Sequence, residues 1–211
     1  MYDLPYHKEN DPQILAQFIS RYPFAFLSGC DAGGNPVATQ VPVFYETRNG
    51  QGFLSGHLMR NTDHHKAFLA NDRVLAVFSG PHAYVSATWY SNPFTASTWN
   101  YMSVHAQGRI RFLDNEALVE MLRKTTLHFE DGNRQSSTIY DNLPPDFLRR
   151  VMPAIAAFEI AVTKLDSVFK LSQDRDRQSY RNIIGKLEQQ GENGREIAAE
   201  MVKREGQVFP E

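Results

Sequence analysis

Cysteine is almost missing from this chain of 211 residues, where Cys30 stands alone. A lone thiol closes no disulfide within the chain and builds no cysteine-based metal site. Long apolar runs are missing as well: no stretch approaches the roughly 18–20 residues that span a bilayer. Met1-Tyr2-Asp3-Leu4-Pro5 has no basic region leading into an apolar run, so the reading is a soluble protein of the cytoplasm with no signal peptide. Net charge is only −2, which exerts no global pull on nucleic acid or an anionic membrane. No GxxxxGK[ST] loop, GxGxxG turn or Gly-x-Ser-x-Gly elbow is present, which argues against a P-loop, a Rossmann site and a hydrolase nucleophile. The histidines show neither HExxH nor His–carboxylate spacing, and His64 and His65, as helix neighbours, point about 100° apart. No metal site is expected.

The residues that are present suit a globular chain with a barrel-sized core, at 42% hydrophobic and 22% charged. Charge is unevenly placed. Residues 1–106 carry 6 Lys/Arg and 7 Asp/Glu, whereas 107–211 carry 16 and 17. The first half therefore reads as sheet and core, the second as solvated helices.

Asp11-Pro12 predicts a helix start, with Ile14, Leu15, Phe18 and Ile19 at helical spacing and Tyr22-Pro23 as the stop. Strands are expected over 24–28, 37–45 and 51–57. They are joined by the turn formers of 31–36 and 47–50 into an antiparallel meander. A short helix follows over 61–69. Strands over 73–79 and 83–87 flank Gly80-Pro81, which predicts a turn. Asn92-Pro93 breaks the chain. Residues 98–113 make one long strand with Val104, Ala106, Gly108, Ile110 and Phe112 on one face, and Gly108 marks a bulge or a close backbone approach. Asp114 caps a helix to about Phe129, Pro144-Pro145-Asp146 opens a short one, and 155–165 is the last strand. Helices over 176–190 and 195–204 are separated by Gly191-Glu192-Asn193-Gly194. About seven mostly antiparallel strands result. Barrel closure would remove their edges, and a sandwich or an open α+β sheet fits the same pattern. The domain division is 1–172 for the barrel and 173–211 for a helical extension packed on the barrel or the dimer.

Four clusters can carry chemistry. Gly56 to Thr62 lies where a strand hands over to a helix, whose unpaired N–H groups suit an anion; Arg60 adds a donor fork matched to phosphate. The plainer alternative is that Asn61 or Thr62 caps the helix and Arg60 is a surface charge. Phe78 to Ser86 puts His82 and Tyr84 on one face, where His82 either meets a ligand or partner chain or is a satisfied structural residue. Thr98 to Ala106 mixes Trp99, Tyr101 and Met102 with Asn100, Ser103 and His105. That mixture suits a flavin ring, which wants an apolar wall with a few hydrogen-bonding groups, and equally a core or interface strand. In Phe169 to Arg175, Lys170 and Arg175 either meet an anion or are solvated loop charges.

These clusters, taken in order, resemble the PaiB family of negative transcriptional regulators. The matching pieces are Met1-Tyr2 with Pro5 and His7, Pro23-Phe24-Ala25, Gly56-His57-Leu58, Gly80-Pro81-His82-Ala83-Tyr84-Val85-Ser86 and Trp89-Tyr90. They continue with Thr98-Trp99-Asn100-Tyr101, Val104-His105-Ala106-x-Gly108, Phe158-Glu159-Ile160 and Lys170-Leu171-Ser172-Gln173. The resemblance implies a mainly β fold with helices, an antiparallel split β-barrel of the pyridoxamine-phosphate-oxidase-like, FMN-binding type. Peripheral helices and a helical C-terminal tail complete it. It also implies a homodimer with FMN at the interface. By that analogy Thr39, Gln40 and Val41 line the flavin, and His57, Arg60 and Asn61 hold the phosphate. Trp99, Asn100, Tyr101, Met102 and Ser103 face the ring, partly from the partner chain, while Lys170, Ser172 and Gln173 close the pocket. Two positions depart from the family pattern: Phe169 stands where a Trp often precedes Lys-Leu-Ser-Gln, and His64 or His65 where a Trp often follows Asn61.

The family implies repression of transcription, with DNA as a partner by analogy. Charge supports this weakly, because residues 173–205 hold 7 Lys/Arg and 7 Asp/Glu. Residues 191–201 resemble a helix-turn-helix faintly, and two amphipathic packing helices are the plainer reading. The alternative function is an FMN-dependent oxidoreductase, a flavin reductase or oxidase of the split-barrel class, with His82, His105 or Tyr101 as proton donor. The oxidase's Arg-x-His-x-Arg tail is replaced here by Lys170-Leu171-Ser172-Gln173-Asp174-Arg175, against pyridoxal phosphate production. A minor alternative is haem bound through His57, His64, His65 or His105.

Overall fold

The computed structural model describes residues 1–92 and 94–210. Half of the break expected at Asn92-Pro93 thus lies outside the described residues, at Pro93. The first helix, α1, runs Pro12–Arg21. Asp11 accepts from the Gln13 N–H at 2.8 Å, and Leu15, Phe18 and Ile19 are buried. Strands β1 (Phe24–Cys30), β2 (Pro36–Arg48) and β3 (Gln51–Met59) form the expected meander. β1 and β2 pair with Phe26 opposite Gln40, and β2 and β3 with Val43 opposite Gly56. Its turns are chemically specified. The Asp31 carboxylate accepts from the N–H groups of Gly33 and Asn35, and Asn49-Gly50 supplies two positive φ angles, 51° and 78°.

The region 73–87 differs from the sequence expectation. Arg73–Val85 is one strand, β4, so Gly80-Pro81 does not reverse the chain. Val74, Ala76 and Phe78 are buried, then Pro81, Ala83 and Val85. The inward face changes parity between Phe78 and Pro81, as an inserted residue makes it do in a bulge. Among the described residues six strands result where about seven are expected. β5 runs Thr98–Phe112 and β6 Ile155–Lys170, the latter continuing through residues expected to lie in a loop. The strands close into a barrel in the order β1-β2-β3-β6-β5-β4. The helices are α2 (Asp63–Ala70), α3 (Asn115–Phe129), α4 (Pro145–Val151), α5 (Arg177–Leu187) and α6 (Glu192–Val208). The break between the last two has the four residues expected but lies earlier, at 188–191, because α5 ends at Leu187 and α6 already begins at Glu192.

The chain packs as two compact units. One comprises Ile19–Phe78 and His105–Leu165. Its core includes Leu27, Val43, Leu54 and Ile160, each almost fully buried. Leu118 and Met121 of α3 pack on Ala157, with Phe44 and Leu122 beside them. Gly108 meets β6 so closely that a Cβ would stand 2.5 Å from Ile160 Cγ2 and 2.6 Å from the Ala161 carbonyl oxygen. That close approach is why the strand needs glycine there. Glu159 receives hydrogen bonds from both Arg48 and Arg111, tying β2, β5 and β6 by charge.

The other unit comprises Met1–Phe18, Ser79–Val104 and Asp166–Glu211. Tyr180, Ile183 and Leu187 of α5 and Ile197 and Met201 of α6 are fully buried, and the Tyr180 hydroxyl donates to the Met201 carbonyl at 2.9 Å. An N-terminal strap lies on this unit. Lys8 pairs with Asp166 at 2.7 Å, the Glu9 N–H donates to Ser167 Oγ at 2.8 Å, and Arg204 holds Glu9 at 2.8 Å. The Arg204 guanidinium also covers the Phe169 ring at 4.9 Å.

Candidate functional site

In the unit that carries β1 to β3, the proposed cofactor residues sit on two strands and one helix start. Along β2 they alternate. Val41 is buried with Thr39 on its side, while Gln40 is exposed on the opposite side, across from Phe26. His57 stands two residues before the end of β3 with its Nδ1 buried and without a hydrogen-bond partner. Burial pushes the His57 imidazole below its ordinary range, so it is neutral near pH 7. A buried ring nitrogen with no partner is costly, and a bound ligand would relieve it.

Arg60 and Asn61 follow directly. The Arg60 N–H donates to the Ala154 carbonyl and its Nε to the Ile155 carbonyl, both at 2.8 Å. These bonds fix the guanidinium while using only its inner nitrogen. Asn61 adopts a left-handed φ of 64°, a conformation Asn tolerates better than most residues. Thr62 then caps α2 by accepting from the His65 N–H at 3.2 Å. Capping by Thr62 and anion binding by Arg60 are thus compatible, where the sequence offered them as alternatives. His64 is engaged by Asp63 at 3.0 Å. The His65 ring packs on Phe112 at 4.7 Å with its Nε2 buried and unpartnered. Among the described residues, no cluster of three or more His, Cys, Asp or Glu is placed to hold a metal.

In the other unit, β5 divides its residues by parity. Asn100 and Met102 are buried inward, while Trp99 and Tyr101 face outward with Trp99 54% exposed. Ser103 shares the parity of Trp99 but is itself buried. Asn100 is fully engaged: its carbonyl accepts from Ser172 Oγ at 3.0 Å, and its amide reaches Met201 Sδ at 3.6 Å. Lys170 Nζ donates to Thr98 Oγ1 and to the Trp99 carbonyl at 2.7 Å. Burial lowers the Lys170 ammonium from its usual range. Gln173 bonds His7 Nδ1 at 2.9 Å and accepts from the Leu171 N–H at 2.7 Å. Ser172 holds a left-handed φ of 62° while buried, a strain that its bond to Asn100 offsets. The structure therefore ties residues 98–100 to 170–172 through the Lys170–Trp99 and Ser172–Asn100 bonds, while Gln173 bonds His7, the Leu171 N–H and the Phe169 carbonyl instead.

Sequence reasoning missed the Arg48–Glu159–Arg111 group and the Arg204–Glu9 pair. It also missed the grouping of His82, Tyr84 and Trp99 with residues 190–194. Only the parity of His82 and Tyr84 signalled the last.

FMN presents an anionic phosphate at one end and a planar ring at the other. Within its own unit the fixed Arg60 fork and the unpartnered His57 nitrogen suit the first; within the other unit, taken by itself, the outward Trp99 and Tyr101 offer faces of the kind the second needs. The residues present fit the group.

Comparison with known proteins agrees. A family model described as "Putative FMN-binding domain" matches residues 1–164. The chain is 30% identical over 199 residues to the protease synthase and sporulation protein PAI 2 of Bacillus subtilis, covering 94% of this chain and 95% of that one. Among solved structures it resembles the flavocytochrome Anf3 of Azotobacter vinelandii, with a TM-score of 0.58 and 18% identity over 86% of this chain and 78% of that one. It also resembles an FAD- and haem-binding protein of Mycobacterium smegmatis, with a TM-score of 0.54 and 16% identity over 78% and 73%. These two likenesses establish the α+β split-barrel fold. The chain belongs to the PaiB-type family of FMN-binding domains, whose cofactor is FMN.

Proposed function

We propose that this protein is a homodimeric, cytoplasmic, FMN-binding negative regulator of transcription of the PaiB type. The buried Nδ1 of His57, left without a partner beside the anchored Arg60, carries the cofactor part of this reading. His57, Arg60 and Asn61 hold the phosphate, and Thr39, Gln40 and Val41 line the adjoining wall. Trp99 and Tyr101, on a strand end shaped by Asn100, Met102, Ser103, Lys170, Ser172 and Gln173, face a ring, with the partner chain contributing. Bound FMN supplies redox capacity, and the protein orients it and tunes its surroundings.

Dimerisation is supported by the outer face of β1 and β2. Phe24 is 59% and Phe26 45% exposed, with exposed Pro36 and Ala38 on the neighbouring strand. Exposed apolar side chains grouped on one sheet face, with Gln40 among them, suit a partner surface, and a second copy fits it as an isologous contact. The regulatory part rests on the match to PAI 2 over nearly the whole of both chains.

The test is an absorption spectrum with and without added FMN, followed by promoter-DNA retardation in both states. Bands near roughly 370 and 450 nm with FMN-dependent retardation support the reading. Turnover of reduced nicotinamide without DNA binding would replace the regulator by an oxidoreductase, and a Soret band would replace FMN by haem.

A further inference from the structure

Past the bulge of β4, His82 and Tyr84 stand two residues apart and share one face. Trp99, at the start of β5, joins them with ring centroids 6.0 Å from His82 and 5.9 Å from Tyr84. Together with residues 190–194 they line a cavity of about 510 Å³. These rings are not packed away: Tyr84 is 47% exposed and Trp99 54%. Large aromatic side chains held outward around a concavity leave apolar area in water unless a ligand covers it. The charge of the cavity selects the ligand. No Lys or Arg lines it, and the one carboxylate is Glu192, which makes no ion pair among the described residues. Residues 191–194 also bring the partial positive charge of the α6 N-terminus to the cavity, which the full negative charge of Glu192 outweighs, so a neutral ring gains stacking alone and a cation gains both the aromatic rings and the carboxylate. The Trp99 ring is tilted 43° to His82 and stands at 70° to Tyr84, so a flat aromatic ligand can stack on one ring while the others meet its rim, the offset and edge-to-face arrangements that aromatic pairs prefer.

We propose that this cavity binds a planar aromatic cation with an N-alkylated ring nitrogen, of the pyridinium class. Trp99 is also among the residues proposed to face the flavin, yet the cation site does not require the cofactor. The test is therefore made on the full chain, both free of FMN and loaded with it.

The chain has two tryptophans, Trp89 and Trp99, so intrinsic fluorescence reports the site. The probe is 1-methylnicotinamide, and uncharged nicotinamide is the control. The expected result is saturable quenching of the FMN-free protein by the cation, with nicotinamide weaker by about ten-fold. Trp99→Phe removes most of the quenching and Trp89→Phe preserves it. Glu192→Gln weakens binding by about three- to five-fold with an unchanged melting transition. Quenching that never saturates, equal affinity for nicotinamide, or a Glu192→Gln variant that binds the cation as tightly as the parent would overturn the proposal. Saturable binding by the FMN-free chain upholds the site even where no flavin is taken up, so the two readings fail separately.

Discussion

At the scale of single residues, Glu159 shows how charge holds the barrel strands in place. Burial raises its carboxyl pKa, but hydrogen bonds and charge from Arg111 and Arg48 outweigh burial and bring it below the usual carboxylate range. A carboxylate whose folded pKa is depressed contributes stability above its unfolded pKa and loses it as pH falls through the folded one. Glu159→Gln is therefore expected to cost about 1–2 kcal/mol at pH 7. The difference from the parent should vanish as the pH drops below the carboxylate range, as read by urea melts across a pH series. Arg60 lends itself to a binding measurement. Arg60→Ala is expected to weaken FMN by about ten-fold or more, measured by flavin fluorescence, while Glu159→Gln leaves that affinity unchanged. An Arg60→Ala variant that binds FMN as the parent does would assign the phosphate elsewhere.

At the scale of elements, caps and turns were the legible part of the sequence. Asp114 caps α3 through the Ala117 N–H at 2.9 Å, as its place before an apolar helical pattern predicts. The meander follows from the Asp31–Pro36 and Asn49-Gly50 turns. The unity of β4 was not legible, because Gly80-Pro81 has the same local chemistry in a turn and in a bulge. Only tertiary pairing decides between them. The extension of β6 to Lys170 was hidden similarly: Ser167 bonds Glu9 of the N-terminal strap and Phe169 lies under Arg204 of α6, partners that are distant in sequence. At the candidate site, residue types were legible and directions were not. Asn100 looked like a ring partner, yet its parity with Met102 and Val104 turns it inward to Ser172. Asp176, which caps α5, offers an element-scale prediction. Hydrogen bonds from the Ser179 side chain and N–H, with Ser91, bring its pKa to about 2. Asp176→Ala should destabilise the protein by about 1 kcal/mol near neutral pH. Because the folded pKa is depressed, that contribution is present above the ordinary carboxyl range and fades as pH falls from there toward about 2. Thermal melts at neutral and acid pH check it, and a loss that is constant across pH would sink the capping account.

At the scale of the whole molecule, the outward Phe24 and Phe26 make assembly testable. Phe26→Asp places a charge in the middle of the apolar face and is expected to shift the protein from dimer to monomer in sedimentation. If FMN is shared between copies, the same change releases the cofactor. A monomer that keeps FMN would show that one chain suffices to bind it.

The strap of residues 7–9 has a consequence for how the chain is made. Its partners lie far along the sequence: His7 bonds Gln173 and Glu9 bonds Ser167, across 166 and 158 positions, and Glu9 waits for Arg204. On a ribosome the first residues therefore emerge long before anything exists to receive them. Contacts of such separation form late and slow the closing step of folding. The nascent chain carries an undocked leading segment until α6 is released, so a ribosome stalled before residue 204 should leave residues 7–9 open to protease and a finished chain should protect them.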